Sequence, residues 1–142
     1  MPQIRCAYPL PNHPESVGRA RTWVRITLTA YGQEDALDAA SLIMSELTSN
    51  AVQHAAGPDM IKIVCEADAG ILTIGVIDHG KRHPIMLDAD QDDEYGRGLT
   101  LVDAIADDWG WRPYSDGKLV YARLGLAQVR AVMEVAPPYV TA

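Results

Sequence analysis

Leu37, Ala40, Met44, Leu47 and Ala51 recur at spacings of three and four, and this stripe limits the fold more than any other feature of the chain. It makes the segment an amphipathic helix with one face for a core. Ser45-Glu46-Leu47-Thr48-Ser49-Asn50-Ala51-Val52-Gln53-His54-Ala55 closes the pattern, with Glu46 and Asn50 four residues apart. That spacing puts a carboxylate and a carboxamide one turn apart at the edge of the stripe. Such a pair suits a solvated helix edge or the wall of a cleft. His54, one turn further on, reads as a helix-end hydrogen-bonding residue.

The rest of the chain supplies a layer for this helix to cover. Residues 3–9 read as a short strand ending at Pro9-Leu10-Pro11. Asn12 to Ser16 carry helix-start chemistry, with Pro14 suited to a first turn. Val17, Ala20, Val24 and Leu28 then keep helical spacing to Tyr31-Gly32. Gln33 to Asp35 open the second helix, which ends near Ala56-Gly57-Pro58. Met60 to Glu66 and Ile71 to Asp78 form a hairpin over the turn Ala67-Asp68-Ala69-Gly70. Residues 79–98 read as a long loop; at about twenty residues such a loop is uncommon and usually functional or disordered. Leu99 to Ala106 return to helical spacing. Gly110 to Tyr114 and Leu119 to Leu124 make a second hairpin over Ser115-Asp116-Gly117-Lys118. The expected fold is α+β: a two-layer sandwich with a mainly antiparallel sheet and helices on one face. Residues 1–125 form one domain, and 126–142 a tail with room for a helical turn or two.

A chain of 142 residues suits one such domain. Its net charge of −7 argues against binding the backbone of nucleic acid, which needs a basic face, but permits a nucleotide in a local pocket. No run of about eighteen apolar residues occurs, so no membrane span is expected. The N-terminus lacks the apolar stretch of a signal peptide. Cys6 and Cys65, far apart in sequence, read as free thiols in a reducing cytoplasm.

Three pieces carry chemistry, in order: Glu46-x3-Asn50 on a helix, Asp78-His79-Gly80 after a strand, and Gly96-Arg97-Gly98-Leu99 before a helix. An Asp at a strand exit accepts from an exocyclic amine such as the N6 group of adenine. Gly80 lets the backbone approach a flat base. Gly96 and Gly98 expose backbone N–H groups at a helix N-terminus, which favours phosphate. The Asn50 amide offers a hard oxygen that Mg²⁺ accepts, and Glu46 is placed to orient or deprotonate a nucleophile. Other motifs fail. Asp88-x-Asp90-x-Asp92 has Asp93 where a Ca²⁺ loop needs Gly. Gly96-x-Gly98 lacks the third glycine of a dinucleotide fingerprint. There is no Walker A lysine. His79, His83 and the cysteines make a zinc site only by accident of folding.

The Glu46–Ala55 segment, Asp78-x-Gly80 and Gly96-x-Gly98-Leu99-x-Leu101-Val102 together resemble the N, G1 and G2 boxes of the GHKL (Bergerat-fold, histidine-kinase-like) ATPases. Within that superfamily the chain is most similar to the small single-domain anti-sigma factor serine kinases and related ATP-binding regulators of actinobacteria. The likeness runs from about Tyr8 to Leu124. It includes Arg19-Ala20-Arg21-x-x-Val24, Trp109-Gly110-x-Arg112-Pro113 and Asp116-Gly117-Lys118-x-Val120. The resemblance implies ATP and Mg²⁺ as cofactors. It makes Glu46 the catalytic base, Asn50 the Mg²⁺ ligand, and Asp78 the adenine partner with Gly80 beside the base. Gly96, Gly98 and Leu99 become the phosphate-facing hinge of a lid over about 81–97, with Arg97 in reach of a phosphate. It implies an anti-anti-sigma protein as the phosphorylated client, a sigma factor as competing partner, and room for a homodimer. Leu119-Val120-Tyr121-Ala122 lacks the threonine many relatives carry there, and the lid is acidic (Asp88, Asp90, Asp92, Asp93, Glu94). Those departures support the alternative, a nucleotide-binding partner switch without phosphotransfer.

Overall fold

The computed structural model describes residues 4–54, 60–80, 94–115 and 117–126. The elements are β1 (Ile4–Pro11), α1 (Ser16–Ala30), α2 (Leu37–His54), β2 (Met60–Asp68), β3 (Ile71–Asp78), α3 (Glu94–Ile105), β4 (Asp108–Tyr114) and β5 (Gly117–Gly125). A short 3₁₀ turn over Glu34–Ala36 leads into α2. The α+β expectation holds: one five-stranded sheet in the order β1-β2-β3-β5-β4, antiparallel at every pairing. β5 crosses back to lie between β3 and β4, so the two hairpins become one sheet.

The strand pleat sorts the sheet into two faces. Ile61, Ile63, Cys65 and Ala67 alternate into the core on β2, as do Leu72, Ile74 and Val76 on β3. Registers of Ile63 with Val76, Cys65 with Ile74, and Val76 with Val120 carry this face across the sheet. Trp109 and Trp111, opposite Ala122 and Val120, pack against its rim, in line with a core role for both. α2 covers the middle strands through Ala40, Met44, Leu47 and Ala51, all buried, so the stripe read from sequence is the stripe that packs. Each fully buried Leu or Met of this kind stabilises the fold by roughly 1.5–3 kcal/mol. On the opposite face Gly75 answers a close approach: a Cβ there would lie 2.8 Å from Leu119 Cδ1 and 2.9 Å from the Val120 carbonyl oxygen.

Several boundaries differ from the sequence reading. β1 continues to Pro11, and α1 starts at Ser16 with Pro14 in the turn before it. Glu15 provides no side-chain cap. The junction is held instead by Ser16 Oγ, which donates to the Pro11 carbonyl at 2.6 Å, and by His13 Nδ1, which accepts from the Glu15 N–H. α1 ends where expected. Gly32 takes φ +72°, its N–H bonds the Thr29 carbonyl, and the Gln33 N–H bonds the Leu28 carbonyl at 2.8 Å. This paired arrangement closes a helix through a left-handed residue, which glycine adopts without a steric penalty. Arg21 and Arg25 donate to Ser45 Oγ and Ser41 Oγ, tying α1 to α2. α3 begins at Glu94, five residues before the helix expected from Leu99, so Gly96 and Gly98 lie inside its first turns rather than ahead of it. An acid in a first turn is favoured by the dipole, and Gly96 still lies among the first N–H groups, which have no intrahelical partner, while Gly98 lies past them. The rest of the expected lid, 81–93, and the tail from 127 lie outside the described residues. Leu126 is buried, and its N–H bonds the Gly70 carbonyl at 2.6 Å.

Cys6 and Cys65, distant in sequence, face each other across β1 and β2 as free thiols. Burial, with Cys6 adding to it, pushes the Cys65 thiol up to about 12. Since the thiolate is the reactive form, a thiol reagent at neutral pH should titrate one cysteine per folded chain, the half-buried Cys6, and two after denaturation. Rapid modification of both in the native protein would contradict this burial.

Candidate functional site

The core face of β3 changes character at its last residue. Leu72, Ile74, Val76 and Asp78 share one side of the strand, so the alternation that buries three aliphatic residues delivers a carboxylate under the helix layer. Asp78 is 3% exposed. On β5 the same face holds Ala122, Val120 and then Lys118, which pairs in register with Asp78. Lys118 Nζ lies 2.7 Å from Asp78 Oδ1 and 2.9 Å from the Gly80 carbonyl oxygen. The Gly80 N–H donates to the same Oδ1 at 2.8 Å. Asp78 thus closes its own turn and ends the β3–β5 ladder in an ion pair. Burying such a charge without these partners is unfavourable by several kcal/mol, roughly.

Gly117 makes the pairing sterically feasible. A Cβ at this position would meet the Asp78 carbonyl oxygen at 2.2 Å and His79 Nδ1 at 2.9 Å. The chain is therefore without a side chain where β5 passes the exit of β3.

α2 brings the other two residues. Asn50 is buried at 8% exposure, and Glu46, one turn earlier, is half-buried. α2 packs on β3, β5 and α3, so the helix belongs to the layer against the strand that ends in Asp78. Burial pushes the Glu46 carboxyl above its ordinary value. The folded protein then keeps this proton to higher pH than the unfolded chain. Its stabilising contribution is full below the ordinary carboxylate range and is lost as pH rises through the folded pKa. Glu46→Gln should remove that loss: relative to wild type, the variant gains stability between about pH 4 and about pH 7. Denaturant midpoints at both pH values check this, and parallel changes in the two proteins would refute it.

Of the remaining residues picked from sequence, Gly80 joins the Asp78 turn. Leu99 has a fully buried side chain, so only its backbone is available to a ligand. Gly96, Arg97 and Gly98 lie in the opening of α3. Lys118 is the partner of Asp78 to which the sequence reading gives no role. Its signal was present as Lys118-x-Val120-x-Ala122, the alternation of a core-facing strand, but the register against β3 is not deducible from it. Among the described residues no three His, Cys, Asp or Glu side chains converge to hold a metal. The donor set still fits Mg²⁺ with a nucleotide, because that ion takes few protein ligands and completes its octahedron with phosphate oxygens and water. A groove of about 690 Å³ lies elsewhere, between β1 and α1, and is lined by Tyr8, Arg19, Trp23 and Ile26 among others. It includes none of these residues.

A five-stranded antiparallel sheet with helices on one face is the architecture of the ATPase domains of histidine-kinase type. The histidine kinase-like ATPase domain family matches residues 10–124, and the chain belongs to that family. Among solved structures it is similar to the histidine kinase domain of the blue-light activated histidine kinase of Erythrobacter litoralis EL346, with a TM-score of 0.51 and 18% identity. The match covers 84% of this chain and 63% of that one, so the chain spans less than two thirds of its structural relative. At this identity the likeness is one of fold. No curated protein matches the chain in sequence. No helix among the described residues is long and apolar enough to cross a membrane.

Proposed function

We propose that the chain is a Mg-ATP-binding regulatory protein kinase of the anti-sigma type, transferring phosphate to a serine of a small anti-anti-sigma partner in transcription control. The observation that supports the nucleotide reading is Asp78, a carboxylate buried at the exit of β3 on the sheet, against which α2 packs. Among the described residues both donors to Asp78 end on Oδ1, which suits Oδ2 to the N6 amine of adenine, with Gly80 beside the ring. Asn50 supplies the amide oxygen for Mg²⁺. The unpaired N–H groups that open α3, that of Gly96 among them, favour phosphate with the positive end of the helix dipole; Arg97, Gly98 and Leu99 continue that helix.

Mg²⁺ held by Asn50 would supply charge neutralisation to the nucleotide phosphates. Glu46 takes the proton of the serine hydroxyl as its oxygen bonds to the γ-phosphorus and ADP departs. Partial burial suits the carboxylate for this, since a raised pKa makes a stronger base. The second reading, a nucleotide-dependent switch that binds a sigma factor or its antagonist without phosphotransfer, is favoured by one observation. Leu119-Val120-Tyr121-Ala122 on β5 offers no threonine where many relatives carry one.

Titration calorimetry with Mg-ATP tests the pocket. Wild type should bind, EDTA should weaken binding, and Asn50→Ala should lose about tenfold or more of the metal-dependent part, the size of one charge-assisted contact. Binding that is equally strong in Asn50→Ala and indifferent to EDTA would remove Asn50 as a metal ligand. Absence of binding at millimolar ATP would remove the nucleotide function.

A further inference from the structure

The Lys118 ammonium does more than neutralise Asp78. Its two bonds, to Asp78 Oδ1 and to the Gly80 carbonyl oxygen, join the carboxylate to the peptide that follows it. The Gly80 N–H closes the same turn from the other side. With two donors on one oxygen, rotation about Cβ–Cγ is blocked and Oδ2 has one direction instead of two. A site whose polar atom is fixed before the ligand arrives discriminates better than one that must be ordered on binding. Gly117 lets β5 come close enough for this, and a Cβ there would collide with the Asp78 backbone.

We propose that Lys118 is the specificity-setting residue of the base pocket: by pinning Asp78 it makes the site select a purine bearing a 6-amino group over one without it. This rests on the reading of Asp78 as the adenine partner. Lys118 acts through Asp78, so it is a positioning residue. An ion pair that merely closes the end of a sheet has no reason to distinguish two nucleotides that differ at C6.

The test compares Kd for ATP with Kd for purine riboside triphosphate, which lacks the 6-amine, in wild type, Lys118→Met, Lys118→Gln and Asp78→Asn. Wild type should prefer ATP by about tenfold or more, as expected for a hydrogen bond to a charged acceptor. Lys118→Met should bring the two constants within about threefold of each other by weakening ATP alone, since only ATP has the amine that the carboxylate accepts. Lys118→Gln, which keeps a neutral donor for the Gly80 carbonyl, should fall between and serves if the Met variant does not fold. Asp78→Asn with Lys118→Met should discriminate no less than Asp78→Asn alone, because both act on one contact. Equal weakening of both nucleotides by Lys118→Met or Lys118→Gln, with the ratio intact, overturns the proposal and leaves the pair structural. A wild type that binds both nucleotides alike overturns it as well, while a wild type that binds neither overturns the adenine reading beneath it.

Discussion

Lys118→Met is expected to lower the unfolding free energy by about 3–5 kcal/mol, the usual effect of removing one partner of a buried ion pair. Asp78 remains, 3% exposed, with a backbone N–H as its remaining described donor. The damage comes from the stranded charge rather than from the lost attraction. Removing both charges should therefore restore most of the stability: Asp78→Asn combined with Lys118→Met should stand within about 1–2 kcal/mol of wild type. Urea denaturation of the four proteins in the cycle measures the coupling, with unchanged slopes confirming that the same surface is exposed on unfolding. If Lys118→Met costs no more than an exposed lysine would, below about 0.5 kcal/mol, the pair is not buried as described.

Glu46→Ala is expected to reduce phosphoserine formation on an anti-anti-sigma partner by about 10²–10⁴-fold, the range for loss of a general base. Mg-ATP affinity should change by less than about threefold, because the base role proposed for Glu46 is toward the nucleophile and not the nucleotide. The split identifies the role. Equal losses in binding and transfer would make Glu46 part of the nucleotide pocket. Undiminished transfer would exclude it as the base. A wild type that binds Mg-ATP and phosphorylates none of the candidate partners leads to the switch reading.

Much of the fold was legible because each local pattern agreed with the others. The α2 stripe, the alternation of β2 and β3, and Gly32 at the end of α1 all sit where their chemistry places them. The start of α1 falls at the end of the expected Asn12–Ser16 stretch, with Pro14 before the helix rather than in its first turn, because Ser16 Oγ on the Pro11 carbonyl holds the junction. The start of α3 was misplaced because glycine reads as a helix breaker, though it is tolerated near an N-terminus. For the site, Asp78 was visible as a charged residue ending an apolar alternation. Lys118 was not, because its role depends on the pairing of β5 with β3 across α3 and β4, and no short-range pattern encodes that register. The cross-strand approach of Cys6 and Cys65 was hidden for the same reason.

Asp78 and Lys118 stand forty residues apart in sequence, and Lys118 belongs to the last of the described strands to be made. During synthesis the Glu46/Asn50 helix and the β2–β3 hairpin emerge well before β5 does. Until β5 inserts between β3 and β4, Asp78 has no ammonium opposite it and the ladder of β3 has an open edge. Nucleotide binding thereby reports that the whole sheet has closed. A nascent chain halted before Gly117 would carry every box of the motif and still lack the pocket.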